Sequence, residues 1–260
     1  MSAPVAVVTG ANRGIGRVIA VAFAAAGYAV LAGAREVASL ADTVAEATKA
    51  AEAGQTGGIA VPAAGDVCDE ASMAALAAAA DDLGAVRVVV ANAGIAGPTA
   101  PLHEITLAQW RETVATDLDG VFLTFRAFVP GLIERRSGSL IAISSMTGKR
   151  PLRGRTPYAA AKMGVIGLVR TLATELGPYG VRVNAVNPGY VAGPRMDMVV
   201  RTQAEIRGVP EEQVRAEVSS GSPLGEMVTP QDVAAACVYL ATAASVTGED
   251  LNVTAGVVMY

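Results

Sequence analysis

The run Val5-Ala6-Val7-Val8, followed directly by Thr9-Gly10-Ala11-Asn12-Arg13-Gly14-Ile15-Gly16, reads as a buried strand that turns on glycine into a helix. Glycines at such a turn let the backbone bend tightly and approach a pyrophosphate, whose charge the helix N-terminus stabilises. The spacing is G-x-x-x-G-x-G, and Ile19 stands where a third glycine of the commoner G-x-G-x-x-G would fall. Asn12, Arg13 and Ile15 fill the turn between these glycines.

Outward from this unit, strand-like runs alternate with helix-length segments, the pattern of a parallel sheet covered on both faces. Strands are expected at 29–32, 59–61, 86–91, 139–144, 181–186 and 251–253, giving about seven with the first. Helices are expected at 15–26, stopped by Gly27, at 37–53, closed by Gly54, and at 69–83, capped by Asp69. A long helix is expected from Leu107 to Arg135, capped by Thr106 and kinked or split by Pro130. Two more run from Thr156 to Leu176 and from Thr229 to Ala243, the latter with Pro230 in its first turn. Residues 194–223 break the rhythm. They carry no strand signal, hold a helical stretch with Pro210 at its first position, and follow a strand at the sheet's carboxyl edge, where a lid would lie. No linker composition or internal repeat divides the chain, so one α/β domain over 1–260 is expected.

Composition narrows the class. With 52% hydrophobic and 17% charged residues, the chain is too apolar for disorder, and a net charge of −4 without a basic tract argues against nucleic acid or an anionic membrane. Met1 to Asn12 lacks the basic start of a signal peptide. The seventeen uncharged residues from Val18 to Ala34 are better read as helix, turn and strand than as a membrane span. Cys68 and Cys237 exclude a disulfide framework and read as small core residues, while a single histidine, His103, gives no metal site and is expected at a loop or rim. Trp110 reads as packing, and the whole as a cytoplasmic protein.

Tyr158 and Lys162 lie four apart near a helix start and so share a face, where an ammonium beside a phenol favours the phenolate. Thirteen residues before Tyr158, Ser145 ends a strand at the same edge. Together with Thr9 to Gly16, Asp66-Val67, Asn92-Ala93-Gly94 and Asn187-Pro188-Gly189, each at a strand end, the chain resembles the short-chain dehydrogenase/reductase family along nearly its whole length.

That resemblance implies a single-domain Rossmann-type, doubly wound parallel sheet and hydride transfer between a nicotinamide cofactor and a small-molecule carbonyl or secondary alcohol. Tyr158 would exchange the proton with the substrate oxygen and Ser145 would hydrogen-bond it, while Ser144 bonds locally. Lys162 would hold the nicotinamide ribose and tune Tyr158. Asp66 and Val67 would touch adenine, Asn92 and Gly94, flanking Ala93, would line the ribose side, and Pro188, Gly189 and Val191 would cradle the nicotinamide. Asp117 stands where the family carries an Asn that supports a water beside the lysine, so it joins the catalytic set with its charge altered. Gly193 and Thr254-Ala255 also depart from the family pattern.

NADP(H) is expected over NAD(H): Ala34 occupies the position of the ribose-binding carboxylate, and Arg35 follows it, with Arg13 in the turn to meet a 2′-phosphate. Arg35 could instead pair with Glu36, or Glu36 bind the ribose. A homotetramer (or dimer) is implied, with helices near 107–135 and 156–176 between subunits. A ketone or 3-oxoacyl reductase leads; a sugar or polyol dehydrogenase and a non-catalytic dinucleotide sensor are the alternatives. Arg195 and Arg201 in the expected lid could meet an anionic substrate.

Overall fold

The computed structural model describes residues 3–260, apart from the side chains of Arg195, Thr202 and Ile206. Met1 and Ser2, where the stretch read for a leader begins, lie outside the described residues. Strand β1 (Val5–Thr9) leads into helix α1 (Gly14–Ala25), followed by β2 (Ala29–Ala34), α2 (Ala41–Gly54), β3 (Ile59–Ala64), α3 (Glu70–Leu83) and β4 (Val86–Ala91). Helices α4 (Leu107–Val114) and α5 (Gly120–Arg135) precede β5 (Gly138–Ile143), the short α6 (Met146–Lys149), α7 (Thr156–Leu176) and β6 (Val181–Pro188). Helices α8 (Pro194–Arg207), α9 (Glu211–Ser220) and α10 (Pro230–Thr242) come before β7 (Asp250–Val253).

The seven strands pair in parallel in the order β3-β2-β1-β4-β5-β6-β7. Strands β1, β2 and β5 are buried along their whole length, which is why they read as unbroken apolar runs and not as alternation. One apolar layer, with Phe125, Leu132, Val165 and Val169, covers one face of the sheet; the other, with Ile19, Phe23, Val233 and Leu240, covers the opposite face. The chain reverses direction across the sheet between β1 and β4. Their carboxyl ends form the crevice where open α/β sheets bind ligands.

Caps fall where the residue types require them. Asp69 accepts the Ser72 N–H at 2.6 Å to start α3, and Thr106 and Thr229 form reciprocal capping boxes with Gln109 and Asp232. Gly27 turns out of α1 at φ +89°, whereas Gly54 stays helical and Gln55 takes the left-handed turn after α2. Residues 37–40 are a 3₁₀ turn and not the start of α2.

Two further expectations are corrected. Pro130 does not split off the last turns of α5, which runs unbroken to Arg135 with the proline on its exposed side. The break in the long helix comes earlier, as a π-helical turn at Ala115–Asp119. Cys237 is buried, and burial raises its thiol pKa, but Cys68 is exposed in the turn after β3.

The expected insertion is a helical pair. Val200, Ala204 and Val214 form a small core between α8 and α9, and Pro210 caps α9 from just outside it. The pair joins the body through two adjacent backbone segments: Ala192 N–H donates to the Val228 carbonyl at 2.8 Å and Val228 N–H to that of Tyr190 at 2.9 Å.

Candidate active site

The parallel sheet sets every expected site residue at a carboxyl strand end or on the helix that follows. At the end of β1, Gly10 adopts φ +64° and a side chain there would come within 2.8 Å of the Ala93 backbone. A Cβ on Gly16 would run into the Gly10 carbonyl and the Asn92 amide. Gly14, at φ +56°, is required for its conformation alone, because nothing lies near its missing side chain. Asn92 donates to the Thr9 and Gly10 carbonyls at 2.9 and 3.2 Å, so its side chain braces the glycine turn. Thr9 completes the joint, its Oγ1 accepting from Asn92 N–H and Ala93 N–H.

Helix α1 begins without a side-chain cap and without an acidic residue in its first turn, leaving its N–H groups and dipole for an anion. Arg17 is occupied by Asp42 (3.0 Å) and Glu46 (3.1 Å). Exposed Arg13 and Arg35 make no ion pair among the described residues, so the pairing of Arg35 with Glu36 does not form. This lip therefore fits a phosphorylated dinucleotide: closely packed glycine backbone, open helix N-terminus and two exposed guanidiniums.

Asp66 follows β3 and accepts the Cys68 N–H at 3.0 Å; the Val67 side chain is buried against Gly120, so any adenine contact from Val67 falls to its backbone. Beyond β6, Gly189 lies so close to Thr254 that a Cβ would come within 2.8 Å of its backbone, and Val191 bridges to Val228. Pro188 ends β6 in register with Val253.

The reactive group gathers around α7. Lys162 is 3% exposed, donates to the Ile143 carbonyl at 3.1 Å and pairs with Asp117 Oδ1 at 3.2 Å. Its Nζ stands 5.6 Å from the centre of the Tyr158 ring. Asp117 is fully buried, and the same Oδ1 accepts the Ile95 N–H at 3.2 Å. Gly94 makes room for this carboxylate, since a Cβ there would overlap it. The π-helical turn holds Asp117, and such turns recur at functional sites. Ser144 ties β5 to α7 by donating to the Lys162 carbonyl at 2.7 Å. Ser145 caps α6 by accepting the Thr147 N–H at 3.1 Å, which leaves its own hydroxyl hydrogen to donate elsewhere.

Sequence reasoning missed Arg155. Its guanidinium lies over the Tyr158 ring, 4.7 Å from the centre, and donates to Thr99 Oγ1 at 3.1 Å. The signal was present as four basic residues among the seven from Lys149 to Arg155, against the expectation of no basic tract. His103 is exposed in a 3₁₀ turn; the Arg195 side chain lies outside the described residues.

A seven-stranded doubly wound sheet with a phosphate-binding lip and a phenol–ammonium pair at its carboxyl edge defines a dinucleotide-dependent oxidoreductase acting between CH–OH and C=O. The chain matches the short chain dehydrogenase family over residues 4–205 and belongs to it. It is 40% identical to cis-4-hydroxycyclohexanecarboxylate dehydrogenase of Sinomonas cyclohexanicum, over 97% of this chain and 95% of the relative. It is 37% identical to granaticin polyketide synthase putative ketoacyl reductase 1 of Streptomyces violaceoruber, over 99% and 94%. A crystal structure of a variant of actinorhodin polyketide ketoreductase with NADPH superimposes with a TM-score of 0.92 at 34% identity, covering 100% of both chains.

Proposed function

We propose that this enzyme is an NADPH-preferring reductase of ketones, of the 3-oxoacyl or cyclic-ketone kind, working reversibly on the corresponding secondary alcohol. The observation that carries the reading is the buried Lys162, fixed by Asp117 and the Ile143 carbonyl within 5.6 Å of the Tyr158 ring. Two of the three ammonium donors are thereby taken, and the third is left to hold the nicotinamide ribose. A bound nicotinamide supplies or accepts the hydride. Tyr158 gives its phenolic proton to the carbonyl oxygen as that oxygen becomes basic, and Ser145 donates a hydrogen bond to the same oxygen.

Arg13 and Arg35, at the lip without carboxylate partners among the described residues, support recognition of the 2′-phosphate, and the NADPH in the polyketide ketoreductase structure agrees. Glycines 10, 14 and 16 with Asn12 and Ile15 would hold the pyrophosphate, Asp66 and the Val67 backbone the adenine, Asn92 to Gly94 the ribose side, and Pro188 to Val191 the nicotinamide. The ketoacyl reductases and the hydroxycyclohexanecarboxylate enzyme among the relatives support a ketone or secondary alcohol as substrate. The α8–α9 pair acts as a lid over that substrate, and the enzyme works as a cytoplasmic homotetramer.

Loss of NADPH absorbance with acetoacetyl-CoA and with cyclohexanone tests the assignment. At least one ketone is expected to be reduced, faster with NADPH than with NADH at limiting cofactor. Tyr158→Phe is expected to cut turnover by about 10²- to 10⁴-fold, the usual worth of a general acid. Unchanged turnover in that variant would overturn the mechanism.

A further inference from the structure

We propose that Asp250 is a positioning residue for the reduction: its carboxylate locks the turn that carries Ser145 onto the helix that carries Tyr158 and Lys162. The proposal rests on the reductase reading above and adds a residue that acts through Ser145.

The chemistry sets the demand. Ser145 and Tyr158 must both reach one substrate oxygen, yet they belong to different elements, the cap of α6 and the first turn of α7. A misplacement of about 1 Å between such groups can cost about 100-fold in rate.

Helix α6 is a single turn with Ser145 at one end and Lys149 at the other. Ser145 Oγ accepts the Thr147 N–H at 3.1 Å and its carbonyl accepts the Gly148 N–H at 3.1 Å, while Arg150 N–H donates to the Met146 carbonyl at 2.7 Å. These bonds make the turn one unit, so whatever holds Lys149 also holds Ser145. The unit lies directly on α7, because a Cβ on Gly148 would come within 3.0 Å of the Lys162 backbone. Such a contact limits how near α6 can come, but it does not stop α6 sliding along the helix.

Asp250 opens β7, and its two carboxylate oxygens take partners from the two elements. Oδ1 accepts from Lys149 Nζ at 2.5 Å, and Oδ2 accepts from Arg170 Nη2 at 2.7 Å. Arg170 stands on α7 eight residues beyond Lys162, about 12 Å along the axis. One carboxylate thus ties the far end of α6 to the helix of the phenol–ammonium pair.

The Asp250 and Lys149 side chains are 6% and 11% exposed, so solvent and salt screen their bond far less than a surface ion pair. Arg170 is mostly exposed and forms the weaker arm. Fully buried Asn187, at the end of β6, steadies the junction by donating to Asp250 Oδ1 at 3.2 Å and to Asn252 Oδ1 at 3.1 Å. The carboxylate is carried by a strand paired in the sheet, which gives the lock a rigid base.

The test is a double-mutant cycle with Ser145, using NADPH with acetoacetyl-CoA and with cyclohexanone. Asp250→Asn keeps the size of the side chain and removes its charge. It is expected to lower kcat by about 10- to 100-fold while the KM for NADPH stays within about twofold. In a Ser145→Ala background the same substitution should cost less than about threefold, because no hydroxyl is left to misplace. Hydrogen exchange gives a reading without turnover: with NADPH bound, Asp250→Asn should speed exchange of the Thr147, Gly148 and Arg150 amides by about tenfold and leave those of β5 unchanged.

Equal losses with and without the Ser145 hydroxyl would overturn the proposal, since Asp250 would then serve only general stability. Unchanged exchange in α6, or a loss confined to the KM for NADPH, would overturn it as well. Should Asp250→Asn fold poorly, Lys149→Gln cuts the α6 arm alone and is held to the same readings. If the unaltered enzyme reduces neither ketone, the reductase reading fails and the proposal with it. Reduction by Asp250→Asn at the full rate fails the proposal alone.

Discussion

Asp117 carries a carboxylate with no exposed surface, a placement that is costly unless the charge is matched. Lys162 and the Ile95 N–H match it, at 3.2 Å each, and the ammonium is almost as deeply buried as its partner. Removing one member of such a pair strands the other. Asp117→Leu is therefore expected to cost about 3–5 kcal/mol in urea unfolding followed at Trp110. Asp117→Asn, which keeps an oxygen for both donors, should cost clearly less; equal losses would show that the charge, and not the hydrogen bonds to that oxygen, carries the whole contribution. At this scale the sequence was most legible where a residue type is dictated by chemistry. The glycines of the turn and Ser145, Tyr158 and Lys162 stand in fixed order and spacing. Arg155 was not legible as a site residue, because its meaning depends on a loop contact with Thr99, fifty-six positions away. The bracing role of Asn92 was hidden for the same reason: its partners, Thr9 and Gly10, are more than eighty residues distant.

At the level of elements, the α8–α9 pair shows how a polar segment holds its shape. Its core is small, and charged contacts supplement it: Arg207 bonds both oxygens of Glu217, at 2.6 and 2.8 Å, and Arg215 reaches Asp197 at 2.8 Å. The Arg207 guanidinium, with help from Gln213, holds the Glu217 carboxyl down to about 2. A carboxyl whose pKa is lowered on folding stabilises the fold fully above its ordinary pKa and loses that contribution as pH falls through the lowered value. The α8–α9 contact is thus expected to be insensitive to pH from 7 to about 4.5 and to loosen between about 4.5 and 2. Hydrogen exchange in 197–220 would register this, and Glu217→Gln should abolish the step; an unaltered profile in that variant would show that the pair plays no part. Being exposed, the pair contributes modestly. The helical character of this insertion was readable from its polarity and its prolines. The π-helical turn at Ala115–Asp119 was not, because one extra residue in a turn leaves the apolar pattern on either side almost unchanged. The turn carries the inward carboxylate of Asp117 to Lys162 and the Ile95 N–H, tertiary contacts that local pattern does not record.

For the molecule as a whole, alternation of apolar runs and helices decided the architecture, and every expected strand appears in the sheet. Quaternary structure lay beyond such reading, but the surface bears on it. Leu107, Phe122 and Met163 are each about half exposed on the helices assigned between subunits. Burying them between copies would remove apolar surface from water. Light scattering at low concentration is expected to give about four times the chain mass of 26.2 kDa. A double variant, Phe122→Glu with Met163→Glu, should shift it toward smaller species; a monomer in the unaltered protein would refute the assembly.

The backbone leaves the body at Tyr190–Ala192 and returns at Val228, side by side and hydrogen-bonded to each other. An excursion whose two ends meet behaves as an exchangeable cassette. No strand of the sheet lies between those ends, so a change in the length of the segment leaves every strand pairing of the sheet in place. Change within the excursion and change at the sheet edge around Lys162 are thereby separable along the chain.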